Sequence, residues 1–173
     1  MKKTPKTYDV LIIGAGPAGA NAAISYKNLN PNMTVGLVDK AIFPRDKSCG
    51  DAIGPGVISA LKRFNNEHIL DGEPQVVSTT LYGPDNIGIQ NYIPEVKNKE
   101  DSIVYVIPRV DLDNRILDLA KELGVDVYEG YSFVDFTSNE DRSLNVQIKN
   151  DNQNLEFLTR MLVGADGANS RIR

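Results

Sequence analysis

Tyr8-Asp-Val-Leu-Ile-Ile-Gly-Ala-Gly-Pro-Ala-Gly-Ala20 is the stretch on which the reading of this chain turns. An apolar run from Val10 to Ile13 stops at Gly14, Gly16 and Gly19 follow, and small residues continue at helical spacing. The pattern predicts a buried strand, a tight turn and a helix start. In a Gly-x-Gly-x-x-Gly turn each glycine has a mechanical task. Gly14 permits the sharp bend, Gly16 lets a pyrophosphate touch the backbone, and Gly19 lets the helix lie close to the strand. Pro17 and Ala18 complete the motif and count with the glycines as candidate contacts. Phosphates there would meet unpaired N–H groups at a helix N-terminus, where the helix dipole favours negative charge.

The surroundings agree with that reading. Ala18, Ala22, Ser25 and Leu29 share one helical face, predicted to pack on a sheet. A second apolar run, Thr34 to Val38, ends at Asp39 and Lys40. Asp39 stands about 20 residues past the motif, where an acid grips a ribose 2′-hydroxyl in dinucleotide-binding units. The alternative is a glycine turn in another α/β domain, with Asp39 merely solvated.

Length and composition narrow the classes. The 173 residues suffice for one domain with a core, and 24% charged residues do not suggest disorder. A net charge of −4 argues against a nucleic-acid surface. Lys2, Lys3 and Lys6 precede the first strand without an apolar segment, so they read as a loose arm and not a signal peptide. No apolar run has the length of a membrane span, and peripheral membrane contact stays open. One cysteine, Cys49, excludes an internal disulfide and fits a cytoplasmic location. A single histidine, His68, in a polar connector argues against a histidine-based metal or triad site.

Further along, Ala41 to Gly56 is a long Gly-, Pro- and charge-rich loop, and Pro55 opens a helix with Val57, Leu61 and Phe64 as its stripe. Val76 to Tyr82 and the alternating Ile87, Ile89, Asn91, Ile93 predict a hairpin turning at Gly83–Asn86. Glu95 to Asp101 is a charged link and Ile103 to Ile107 an apolar run. Arg109 to Leu123 predicts a helix with Leu112, Ile116, Leu119 and Leu123 on one face, Asp111 and Asp113 near its start, and Gly124 ending it. Strands are expected at Val125–Tyr128, Tyr131–Phe136, Leu144–Ile148 and Leu155–Leu158; Thr159 to Val163 then leads into Gly164-Ala-Asp-Gly167, ahead of another helix.

Three segments are candidates for chemistry. Phe43-Pro-Arg-Asp-Lys-Ser-Cys-Gly-Asp51 follows the ribose-binding strand end. It is either a solvated charged loop or a segment reaching along a dinucleotide, with Arg45 pairing a phosphate and Gly50 admitting a flat ring. Cys49 is either an activated thiol or, as the favoured reading, a buried or merely small residue. Asp166 and Gly167 either contact a ribose or ribityl chain and a phosphate, or form an ordinary turn. Arg109 is either a surface charge or a phosphate ligand.

With those motifs in order, the chain resembles the para-hydroxybenzoate-hydroxylase-type flavoproteins. The Phe43–Asp51 segment is similar to that of geranylgeranyl reductases, Pro108–Leu117 resembles the family's Arg-x-x-Leu-Asp helix start, and Gly164–Arg171 resembles its Asp-Gly motif. The resemblance implies an α/β fold, a Rossmann-like FAD-binding parallel sheet with inserted antiparallel strands, in one FAD/NAD(P)-binding domain over 1–173. It implies FAD held by Gly14, Gly16 and Gly19, with Asp39 on the adenosine ribose, although family members usually carry Glu there. Arg45, Cys49, Gly50 and Asp51 would lie along the flavin side, Arg109 on FAD, and Asp166 by the pyrophosphate or ribityl chain. NAD(P)H would be the electron donor and an apolar or isoprenoid small molecule the substrate. An aromatic monooxygenase or halogenase is the runner-up, and a non-catalytic nucleotide-binding fragment stands outside catalysis. The family continues past the Asp-Gly motif, so the chain is expected to be the N-terminal part of a longer enzyme that binds FAD poorly by itself.

Overall fold

The computed structural model describes residues 5–76, 78–92 and 104–172. The chain forms two compact units, residues 1–45 with 113–173, and residues 46–112.

The first unit begins with β1 (Lys6–Ile13), α1 (Pro17–Leu29) and β2 (Val35–Asp39). The second carries β3 (Ala52–Ile53), α2 (Pro55–Lys62), a 3-10 turn at Glu67–Leu70, β4 (Ser78–Tyr82), β5 (Gly88–Tyr92) and β6 (Tyr105–Val106). Helix α3 (Arg109–Glu122) starts in the second unit and runs into the first, which ends with β7 (Asp126–Glu129), β8 (Ser132–Ser138), β9 (Leu144–Lys149) and β10 (Asn154–Gly164).

Six strands of the first unit form one sheet in the order β7-β2-β1-β10-β9-β8. Strand β1 lies between two parallel partners, with Ile13 level with Val38 on β2 and Gly164 on β10. Its last four residues are all buried, as expected of a parallel strand covered on both faces. The fold is therefore the expected α/β type with antiparallel additions.

Strand β10 is one continuous element, where the sequence suggested a strand to Leu158 and a separate lead-in. Residues 154–159 pair antiparallel with β9 while 157–164 pair parallel with β1. Thr159 marked the apparent break, yet it is fully buried. Its hydroxyl donates to the Met161 carbonyl at 3.0 Å, so a polar side chain sits mid-strand without an unmet hydrogen bond.

Tyr8, Leu11, Ile13, Val38, Phe133, Val146, Ile148 and Phe157 form the main core cluster of this unit. Tyr8 meets Phe157 edge-on at 5.5 Å between centroids. Its hydroxyl donates to Asp126 at 3.0 Å and shares a 2.7 Å hydrogen bond with Tyr128. Burial, then the Tyr128 hydroxyl, pushes the Tyr8 phenol well above its ordinary value, so it stays protonated.

The buried face of α1 differs from the expected one. Gly19, Ala20, Ala23 and Ile24 point inward, whereas Ala18 is exposed and Leu29 is 78% exposed. The cause lies in the glycine motif. A Cβ on Gly19 would stand 1.8 Å from the Gly14 carbonyl oxygen. Gly19 must therefore face the bend, and that fixes the rotation of the whole helix.

In the second unit β3 pairs antiparallel with β6, and β4 with β5 in the expected hairpin. Helix α2 buries Ile58 and Leu61, while Val57, expected in the stripe, points outward. In α3, Leu112, Ile116 and Leu119 are buried as expected, joined by Leu117 and Ala120. Ile93, the Glu95–Asp101 link and Ile103 lie outside the described residues.

The 1.8 Å approach makes Gly19→Ala costly, by about 3 kcal/mol or more, because backbone must move to admit the methyl group. Gly56→Ala, in α2 with open space at its Cβ position, should be neutral or stabilise by up to ~1 kcal/mol. Urea unfolding of both variants measures the contrast; a Gly19→Ala protein as stable as the parent would refute the packing argument.

Candidate functional site

Three parallel strand ends converge on the glycine bend. The Ala165 N–H donates to the Ile13 carbonyl at 2.7 Å, and the Gly14 N–H to the Val38 carbonyl at 2.7 Å. Gly14 has φ +103°, and a Cβ there would lie 2.2 Å from the Ala165 oxygen. Only glycine meets both requirements. The bend is thus nested against the Gly164-Ala-Asp-Gly167 corner, which sequence alone placed near it only by resemblance.

Asp39 closes the same junction. Its carboxylate accepts from the Ala15 N–H at 2.7 Å and from the Ala41 N–H at 2.8 Å. An ionised carboxylate has about four lone-pair sites, so acceptor capacity for a ribose hydroxyl remains. An open cavity of about 190 Å³ lies beside it, lined by Gly14, Asp39, Lys40, Phe133, Asp166 and Arg171 among others. That is below the roughly 300–1,000 Å³ of pockets that enclose a drug-sized ligand, so it suits one portion of a dinucleotide.

Asp166 accepts the Arg171 N–H at 2.8 Å, and Gly167 has φ +87° with open space around it. Residues 168–172 after this corner are not helical, with a turn at 168–169 and a bend at 171. Asp166 spends acceptor capacity on holding that turn.

Arg45 reaches the bend from the loop after β2. Its guanidinium lies 4.7 Å from the Phe43 ring centroid, and Nη1 stands 3.2 Å from Asp113 Oδ2. Despite that ion pair, Nη1 is buried and makes no hydrogen bond of acceptable geometry, so it keeps an unused donor. A Cβ on Gly16 would be 3.3 Å from Arg45 Nη2. Gly16 is also the N-cap of α1, Pro17 holds the first helical position, and the first turn contains no acidic residue. A turn of glycines and small residues, a helix N-terminus with no acidic residue in its first turn, and a guanidinium whose Nη2 stands beside Gly16 fit a pyrophosphate.

Cys49, Gly50, Asp51 and Arg109 belong to the second unit. The Arg109 N–H donates to Asp51 Oδ1 at 3.3 Å and the Ile107 N–H to the Asp51 carbonyl at 3.0 Å. Cys49 is exposed, which corrects the favoured reading of a buried residue. The Asp51 backbone N–H first, and the Arg109 side chain by hydrogen bond and charge, hold its thiol below the ordinary value. No Cβ contact would arise within 4 Å of Gly50.

Residues 7–173 match the family described as FAD binding domain. This chain belongs to that family. Among relatives of the FAD binding domain chain, menaquinone reductase of Mycolicibacterium smegmatis is 30% identical over 95% of this chain and 38% of its own. Digeranylgeranylglycerophospholipid reductase of Picrophilus torridus is 25% identical over 94% of this chain and 40% of its own. In fold, the chain is similar to the myxobacterial chondrochloren halogenase CndH, with a TM-score of 0.82 at 23% identity over 96% of this chain and 39% of the other. The chain thus spans about 40% of the length of the curated relatives it matches.

Sequence reasoning missed Phe133 and Tyr131, which line the cavity from the start of β8. The Tyr131 N–H bonds the Asp39 carbonyl at 3.0 Å, a cross-chain pairing with no local sequence signature. It also missed the role of Asp113. A signal was available, since a charge beside Leu112 and Ile116 falls within the apolar face of α3.

Because its pKa is lowered, Cys49 should retain thiolate at lower pH than an ordinary cysteine. The pH midpoint of its alkylation by iodoacetamide should fall below the ~8.5 of a free thiol, and Arg109→Met should move it upward. A midpoint at or above the ordinary value would contradict the Asp51 and Arg109 contacts.

Proposed function

We propose that this chain is the cofactor-binding part of an FAD-dependent oxidoreductase that draws electrons from NAD(P)H and reduces an apolar, isoprenoid-type small molecule. The observation that carries the FAD reading is the meeting of the glycine bend, Asp39, Arg45 and the Ala165–Asp166 corner around the N-terminus of α1. The finer reading, an isoprenoid reductase, is supported by the Phe43–Asp51 segment and by the names of the two reductases among its relatives.

Each group has a task in that reading. The backbone between Gly14 and Gly19, with Pro17 contributing no competing N–H and Ala18 no bulk, receives the pyrophosphate. Arg45 neutralises it, and Asp39 accepts a hydroxyl of the adenosine ribose while Lys40 borders the same cavity. Asp166 and Gly167 contribute from the facing corner. Cys49, Gly50, Asp51 and Arg109 are proposed as cofactor contacts on the sequence resemblance alone. Bound FAD would supply the two-electron chemistry, with the protein binding and orienting it. No side chain is assigned as a general acid or base.

The full product of the gene should quench FAD fluorescence on titration and carry flavin through gel filtration. Gly16→Glu sets a carboxylate against the pyrophosphate and should weaken FAD by at least ~100-fold. Protein that neither binds FAD nor responds to Gly16→Glu would overturn the reading. With NAD(P)H and no oxygen, reduction of a prenyl chain supports the isoprenoid reductase; substrate-coupled oxygen consumption instead would replace it with a monooxygenase or halogenase.

A further inference from the structure

Asp113 is a charged residue where the fold wants none. Its side chain is fully buried on α3, a helix whose Ile116 and Leu117 are buried as well. A carboxylate in such a place is costly unless it is paired. One charged neighbour is Arg45, at 3.2 Å. Arg45 is held by more than this ion pair. Its guanidinium lies against Phe43, whose N–H donates to Glu129 at 2.8 Å, and Glu129 also pairs with Lys121 at 3.2 Å. The result is an arginine 20% exposed at its side chain, with one nitrogen near Asp113 and the other beside Gly16.

We propose that Asp113 is the positioning residue for phosphate recognition: from within the protein it fixes the Arg45 guanidinium across the glycine bend, and cofactor affinity depends on it although it touches no ligand. The inference rests on the reading of Arg45 as a pyrophosphate ligand. An unrestrained arginine loses considerable rotamer freedom on gripping a phosphate, whereas one already oriented loses little. Asp113 removes that loss before the ligand arrives. The ion pair engages Nη1, which is buried, and leaves Nη2 as the nitrogen beside Gly16.

The test uses the full product of the gene freed of flavin, with ADP as the pyrophosphate probe and adenosine as the phosphate-free control, read by calorimetry. Asp113→Asn should weaken ADP by ~10-fold, comparable to Arg45→Met, because a charge-assisted contact is lost in each. Adenosine affinity should stay within ~2-fold, and the double variant should bind ADP no worse than Arg45→Met within ~2-fold, as expected when one residue acts through the other. Asp113→Glu, which keeps the charge, should recover part of the ADP affinity.

Equal weakening of ADP and adenosine by Asp113→Asn would show a merely structural role and overturn the proposal, as would additive losses in the double variant. Should Asp113→Asn not fold, Asp113→Glu decides: ADP must weaken while adenosine and the thermal midpoint hold, and an unchanged ADP affinity refutes the proposal. Arg45→Met without effect on ADP would instead sink the pyrophosphate reading of Arg45, and a parent protein that binds neither ADP nor FAD would sink the FAD reading with it.

Discussion

The close approach of three backbone segments at the end of β1 governs the rest of the first unit. The Gly14 carbonyl packs where a Gly19 side chain would begin, and the Ala165 carbonyl packs where a Gly14 side chain would begin. These contacts exclude any residue larger than glycine at both positions. They also dictate the rotation of α1, the depth at which it lies, and how closely the end of β10 meets the end of β1. The hydrogen bonds from Gly14 to Val38 and from Ala165 to Ile13 then lock the three strands in register. The same geometry that makes the packing tight leaves a turn of glycines and small residues at a helix N-terminus. Close packing and an accessible backbone at the bend are consequences of one constraint.

Asp39 shows how a site residue can also be a structural one. Its two hydrogen bonds to Ala15 and Ala41 tie the glycine bend to the end of β2. An aspartate is short enough to make both bonds from the strand end. Acceptors spent on the backbone are held in place, so the remaining lone pairs face a fixed direction. Substitution of Asp39 would therefore disturb the fold itself, which is why Gly16 is the cleaner position at which to test the proposed cofactor site.

The sequence made the glycine bend, β1, β2, the hairpin and α3 legible, because each is written in local spacing. It failed where the deciding contact is non-local. The inward face of α1 follows from the Gly14–Gly19 clash, which outweighs apolar periodicity in a helix of small residues. Strand β10 seemed interrupted because a buried threonine reads as a break until its bond to Met161 is known. Cys49 is exposed where a buried residue was one expectation, and its thiol is tuned by Asp51 and by Arg109, far along the chain. Of the residues gathered at the bend, the glycines, Asp39 and Arg45 could be named from sequence. Their grouping with Phe133 and Asp113 needed the fold, since those residues come from β8 and α3.

The Arg45–Asp113 pair has a topological meaning as well. Residues 46–112 form a separate compact unit, so the chain leaves the first unit at Arg45 and re-enters it at Asp113. The two border residues are joined by the 3.2 Å ion pair. Closing a long excursion costs entropy that grows only slowly with its length, so one buried contact at its base does much to hold the exit and return strands of chain together. The guanidinium beside Gly16 is thus paired, through its other nitrogen, with the residue at which the chain re-enters the first unit.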